Sequence, residues 1–133
     1  MVKDNDFTLT PIGVIESGLS EVKKAPCQGT MGAPEAWINI HKEVAEGMKD
    51  VKVGDKIIVL TWLHLSDRSV LKVYPQDNKN NPLTSVFATR SADRPNPIGL
   101  HPVTVLEISG AKIRVAPMEA IDGTPVVDIK PVI

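Results

Sequence analysis

Lys56-Ile57-Ile58-Val59-Leu60-Thr61-Trp62-Leu63-His64-Leu65 is a nearly continuous apolar run. At that length it reads as a strand buried on both faces. Val53-Gly54-Asp55 turns the chain into it. Downstream, residues 69–74 read as a strand, 76–82 as a polar loop and 84–89 as another strand. After an irregular stretch at 90–97, a long strand spans 98–108. Ser109-Gly110 signals a hairpin returning through 111–115. Asp122-Gly123 turns the chain into a last strand at 125–129. Upstream, 8–16 looks extended, with Ile12 and Val14 on one face, and 17–34 is a long loop rich in Gly and Pro. Ala36, Ile38 and Ile40 alternate with Trp37, Asn39 and His41, the period of a strand. Val44, Met48 and Val51 lie four and three residues apart, so 42–51 is expected to hold one short helix, weakened by Gly47.

Composition agrees with these pieces. Val and Ile together number 28, against 9 Leu and 9 Ala, and β-branching favours strands. Eleven prolines and nine glycines punctuate the chain along its length. No internal repeat and no low-complexity linker interrupts it, so its 133 residues are expected to form one domain, Met1–Ile133. The expected fold is mostly β, a small barrel of about seven strands, because closure removes exposed sheet edges.

Several function classes fall away. A formal net charge of -1 argues against nucleic-acid binding by bulk charge alone, though a local basic patch stays possible. One cysteine excludes an internal disulfide framework and a Cys-only metal site within one chain. His41, His64 and His101 lack metal-ligand spacing, so no metal is expected. No apolar run reaches the roughly 18 residues of a membrane span, and the opening Met1-Val2-Lys3-Asp4-Asn5-Asp6 lacks the regions of a signal peptide. A cytoplasmic setting without membrane partners is the expectation. P-loop, G-x-G-x-x-G and G-x-S-x-G signatures are missing.

Three segments invite a chemical reading. In Arg90-Ser91-Ala92-Asp93-Arg94-Pro95-Asn96-Pro97-Ile98-Gly99, two prolines flank an asparagine and stiffen the turn. Either Arg90 grips a carboxylate or phosphate there, or the segment is a surface turn whose Arg94 pairs with Asp93 or a distant acid. Asp128 and Lys130 share one strand face, either a charged floor beside a pocket or an exposed ion pair. Cys27 has no visible basic partner that would make its sulfur a nucleophile.

Read together, Val86-Phe87-Ala88-Thr89-Arg90-Ser91, Asp93-Arg94-Pro95-Asn96-Pro97-Ile98-Gly99-Leu100 and Asp122-Gly123-Thr124-Pro125-Val126-Val127-Asp128-Ile129-Lys130-Pro131 resemble the TsaA-like (TrmO, YaeB) family. The opening Pro11-Ile12-Gly13-Val14-Ile15-Glu16-Ser17 looks like the start of its members. The resemblance spans about residues 10–131 and is weakest over 31–85. It implies a single-sheet antiparallel β-barrel that forms a homodimer, with the cofactor near the subunit interface. It also implies an S-adenosyl-L-methionine-dependent methyltransferase acting on N6-threonylcarbamoyladenosine at position 37 of tRNA. Carried onto this chain, the implied cofactor contacts are Pro26, Cys27, Gln28, His64, Leu65, Arg90, Leu100, Pro117, Met118, Glu119 and Ala120. Substrate contacts fall to Arg94, Asn96 and Lys130, and Asp93 and Asp122 are the leading candidates for a catalytic base, with Glu119 and His64 beside them.

The chain departs from the pattern at three places. Cys27 stands where the family usually has Arg, Leu65 where it has Gln, and Glu119 where Asp is common. Longer members carry a further C-terminal domain that helps hold tRNA; here the sequence stops at Ile133, and that domain is expected to be absent. Two alternatives therefore stand beside tRNA methylation: the same cofactor site acting on a small molecule, and a non-catalytic cofactor- or RNA-binding module.

Overall fold

The computed structural model describes residues 7–18 and 34–133. Six strands close into an antiparallel barrel: β1 (Gly13–Glu16), β2 (Ala36–Ile40), β3 (Lys56–Trp62), β6 (Ile98–Ser109), β7 (Lys112–Ala116) and β8 (Pro125–Pro131). The order around it is β1-β2-β7-β6-β3-β8. Two very short strands, β4 (Lys72–Val73) and β5 (Thr84–Ser85), form a separate ribbon. The expected mostly-β barrel is thus present, with six strands in the barrel rather than about seven.

A small barrel has one inside, and its alternate side chains fill it. Ile15, Ile38, Val59, Val105, Ile113, Val115 and Val126 are nearly solvent-free and form the core with Met118. This geometry corrects the expectation for β3. Only Ile57, Val59 and Thr61 point inward; Ile58, Leu60 and Trp62 on the outer face are half-buried. The continuous apolar run is therefore an alternating strand with an apolar outer face, not a strand buried on both sides.

In β1, Ile12 and Val14 share one face as expected, and the fully buried face is the other one. Ile15 is buried, whereas Ile12 and Val14 are half-buried. Gly13 also turns inward, where a Cβ would lie 2.5 Å from the Asn39 carbonyl oxygen. The absence of a side chain at Gly13 hid the true period, because glycine contributes nothing to an apolar pattern.

The expected helix over 42–51 is a 3-10 helix, Lys42–Met48. Ala45, Met48 and Val51 pack on the core, three residues apart, while Val44 is exposed. A period of three is that of the 3-10 form, so the face that packs differs from the Val44-Met48-Val51 stripe.

The strands expected at 69–74 and 84–89 shrink to β4 and β5, and Val86–Ala88 forms a 3-10 turn. Arg94 explains the second case. Its guanidinium donates to the carbonyls of Val86, Thr89 and Ser91, the last at 2.7 Å. Those carbonyls turn toward one cation and are lost to a ladder. Arg94→Ala is expected to destabilise the protein by about 1–2 kcal/mol in urea unfolding, since hydrogen bonds to a half-buried charged group are among the stronger ones. Arg94→Lys should not restore it, because one ammonium cannot reproduce the planar fork.

Candidate functional site

Antiparallel connectivity brings particular strand ends to one mouth of the barrel. The ends of β3 and β7 and the starts of β6 and β8 meet there. Thr61 of β3 faces Gly99 of β6, and the Leu63 N–H donates to the Pro97 carbonyl at 2.8 Å. The stiff 90–97 turn therefore lies directly beside the chain leaving β3.

Beyond β7 the chain passes a cis Ala116–Pro117 bond and continues toward Asp122. Alternate residues part there: Met118 and Ala120 are buried, while Pro117 and Glu119 are half-buried. The Met118 N–H donates to the Pro34 carbonyl at 2.8 Å, holding the segment across the mouth.

Two adjoining cavities open at this end. The larger, about 500 Å³, is lined by Leu63, Arg90, Leu100, His101, Pro117 and Glu119, among others. The smaller, about 100 Å³, is lined by Leu63, His64, Leu65, Ala92, Glu119 and Ala120, with others. Leu63 and Glu119 border both. Seven sequence-derived cofactor candidates thus meet here from three separate stretches: His64, Leu65, Arg90, Leu100, Pro117, Glu119 and Ala120. Met118 is a core residue with no exposed surface. Pro26, Cys27 and Gln28 lie outside the described residues.

Electrostatics distinguish the lining groups. Glu119 is the only carboxylate bordering either cavity among the described residues. Burial pushes its carboxyl above the usual carboxylate range, since desolvation disfavours the charged form. Arg90 is an exposed cation on the larger cavity's wall. His101 turns toward the barrel interior, where its Nε2 lies 2.8 Å from Thr61 Oγ1, and burial lowers its pKa to about 4. The imidazole is neutral at pH 7.

The sign of the resulting pH effect follows from linkage. Above pH 6.5 both folded and unfolded forms carry a neutral His101, so it adds no dependence. As pH falls from 6.5 to about 4, the unfolded chain takes up a proton that the folded one refuses, and stability drops. The loss approaches about 1.4 kcal/mol per pH unit in that window. His101→Gln should flatten this part of the stability profile, measured by urea unfolding at several pH values.

The remaining candidates are engaged in other contacts. Asp93 Oδ1 accepts the Asp67 N–H at 2.8 Å, and Asp122 Oδ1 accepts the Ser17 N–H at 3.0 Å. Neither borders the two cavities; each joins one loop to another. Arg94 borders the larger cavity, but three backbone carbonyls engage its guanidinium. Asn96 Oδ1 accepts a hydrogen bond from Arg68 at 3.1 Å. Lys130 pairs with Asp128 at 3.2 Å, with both side chains well exposed, and Asp128 also lines a cavity beside the 3-10 helix, away from this mouth. Leu63, Gly99 and His101 are lining residues that sequence reasoning missed. The His101 signal was available: it sits in phase with Val103 and Val105, both buried on β6.

A family model described as the tRNA-methyltransferase O N-terminal domain matches residues 14–133. The chain belongs to that family. A relative from Methanothermobacter thermautotrophicus, named a probable S-adenosyl-L-methionine-binding protein, is 38% identical over 98% of this chain and 93% of its own length. One of the same name from Archaeoglobus fulgidus is 44% identical over 92% of this chain but only 33% of its own length. A solved structure of TrmO superposes with a TM-score of 0.77 at 27% identity, over 96% of this chain and 58% of that one. The family domain thus makes up nearly all of some relatives and a minor or middling part of others. No helix among the described residues is long and apolar enough to cross a membrane.

Proposed function

We propose that this protein binds S-adenosyl-L-methionine at the barrel mouth and methylates N6 of threonylcarbamoyladenosine at position 37 of tRNA. The observation that carries the reading is the convergence of Arg90, Glu119, His64 and the apolar residues Leu63, Leu65 and Leu100 on two adjoining cavities. Family membership and the names of the relatives support the cofactor and the reaction class.

The lining suits such a ligand. Leu63, Leu100 and Pro117 provide apolar walls for an adenosine, Arg90 is a counter-charge for its carboxylate, and Glu119 offers an acceptor near its cationic end. When bound, the cofactor supplies a methyl group on a sulfonium; the methyl–sulfur bond breaks with its electron pair kept on sulfur, and an N6–methyl bond forms. The protein's part is alignment, because in-line displacement is sensitive to geometry. The N6 proton also needs an acceptor. Glu119, with its raised pKa, and His64 border the cavities and take that role in preference to Asp93 and Asp122.

The proposed assembly is a homodimer, with the exposed side chains of Leu65 and Leu100 at the mouth as part of its contact. Arg90 from both subunits then adds local positive charge that the net charge of -1 does not reveal. The test is transfer of labelled methyl from S-adenosylmethionine to tRNA carrying threonylcarbamoyladenosine, with unmodified tRNA as control. Label confined to the modified tRNA supports the reading. Label appearing only in small metabolites would move the same site to a different substrate, and cofactor binding without turnover would leave a binding module.

A further inference from the structure

A third cavity lies on the outer wall next to the barrel mouth. It measures about 770 Å³ and is lined by Phe7, Leu9, Trp62, Arg68, Ile98 and Val127, among others. Ile98 also borders the cavity of Arg90 and Glu119, so one side chain is common to the walls of both. The Arg68 guanidinium lies over the Trp62 indole, 5.1 Å from its centroid. It is held there by two donated hydrogen bonds, to the Pro95 carbonyl at 2.7 Å and to Asn96 Oδ1 at 3.1 Å. The loop beneath is fixed as well: Asp67 Oδ1 accepts the Ser69 N–H at 2.8 Å and the Ser69 hydroxyl at 2.6 Å, and Asp93 accepts the Asp67 N–H. Phe7, on the same groove, is 89% exposed.

We infer that this groove is a subsite for an unpaired nucleobase of the RNA substrate, held beside the adenosine that reacts. The inference rests on the methylation reading above. A planar cation locked on an indole presents a flat surface on which a base stacks, and stacking needs no particular sequence. Two of the guanidinium's donor groups are already engaged, and Asp67 and Asp93 place negative charge in the loops that carry it. That arrangement favours a neutral aromatic face over a phosphate. Because the platform is built before binding, little conformational freedom is lost when a base docks. The shared wall at Ile98 places a base here next to one presented to Arg90 and Glu119.

The test is titration of the whole protein with an anticodon stem–loop RNA, in a Trp37→Phe background so that Trp62 is the sole reporter indole. RNA should quench Trp62 emission. Arg68→Ala and Phe7→Ala should each weaken RNA binding by about tenfold, the scale of one stacked base. Affinity for S-adenosylhomocysteine, read by calorimetry, should stay unchanged in both variants and shows that they fold. RNA that binds without quenching Trp62, affinities within twofold of wild type for both variants, or no RNA binding at all would each overturn the subsite. A wild-type dimer that Arg68→Ala converts to a monomer would also overturn it, making the groove a contact between copies. Methyl transfer to tRNA whose kcat/KM neither substitution lowers removes the subsite and leaves the reaction. Quenching by RNA in a protein that transfers no methyl group keeps the subsite and removes the reaction.

Discussion

Arg90→Ala should weaken S-adenosylmethionine and S-adenosylhomocysteine binding by about five- to 150-fold, or ~1–3 kcal/mol, with the fold intact. The magnitude is that of a lost charge-assisted hydrogen bond to a carboxylate. The side chain is exposed on the wall of the larger cavity and stands on a turn that Arg94 braces from within. Removing it therefore takes away a ligand contact without opening the core. Arg90→Lys should recover part of the affinity, because the charge returns but the planar fork does not. Calorimetry with both ligands checks the prediction. An unchanged affinity with an unchanged melting temperature would mean that the carboxylate is held by other groups.

Gly99→Ala should cost about 3 kcal/mol of stability and disable the site with it. A Cβ at Gly99 would collide with Thr61 Oγ1 and come within 2.7 Å of His101 Nε2, with Leu63 Cδ2 at 3.2 Å. Overpacking of this kind typically costs about 1–3 kcal/mol, and separating Thr61 from His101 strands a buried polar pair and adds to it. Relief requires β6 to move off β3 at the register Thr61–Gly99, which would shift the 90–97 turn and Leu63 together. Urea unfolding of Gly99→Ala gives the stability loss directly. A Thr61→Ala, Gly99→Ala double variant should recover some of it by removing the hydroxyl oxygen that the new Cβ meets. If the single variant unfolds like wild type, the close approach across β3 and β6 is softer than its geometry indicates.

These two residues differ in how visible they were. Arg90 could be picked out in the sequence, because two arginines on a proline-stiffened turn are unusual and the surrounding residues carry a family resemblance. Gly99 was part of the same motif, yet nothing local says what it must avoid. Its constraint comes from Thr61 and His101, and only strand pairing brings Thr61 beside it. Arg94 differs again. Its residue-level reading paired it with Asp93 or a distant acid, but the guanidinium bends back onto the carbonyls of Val86, Thr89 and Ser91. A side chain's partners in its own turn depend on backbone direction, which residue types alone do not encode.

The carboxylates separate in the same way. Asp93 and Asp122 lie in conspicuous motifs and serve loop-to-loop hydrogen bonds. Glu119, in a segment with unremarkable neighbours, is the acid that borders the cavities, because Met118 and Ala120 on either side turn into the core and leave it facing out.

By itself the sequence determined the class of fold and the family. Val- and Ile-rich segments alternating at a period of two, broken by Gly and Pro, leave a small β-barrel as the economical way to bury one face of every strand. Ordered motifs of about six to ten residues, in the right succession, are specific enough to mark descent, whatever the structure. Tertiary structure alone decided which way each strand faces where glycine or an apolar outer wall blurs the alternation, as at Gly13 and in β3. It alone decided that His64, Arg90 and Glu119 meet, although they are far apart in the chain. The physical reason is closure: in an antiparallel barrel, ends of non-consecutive strands share one mouth, and the site is made of whatever those ends and the loops between them carry.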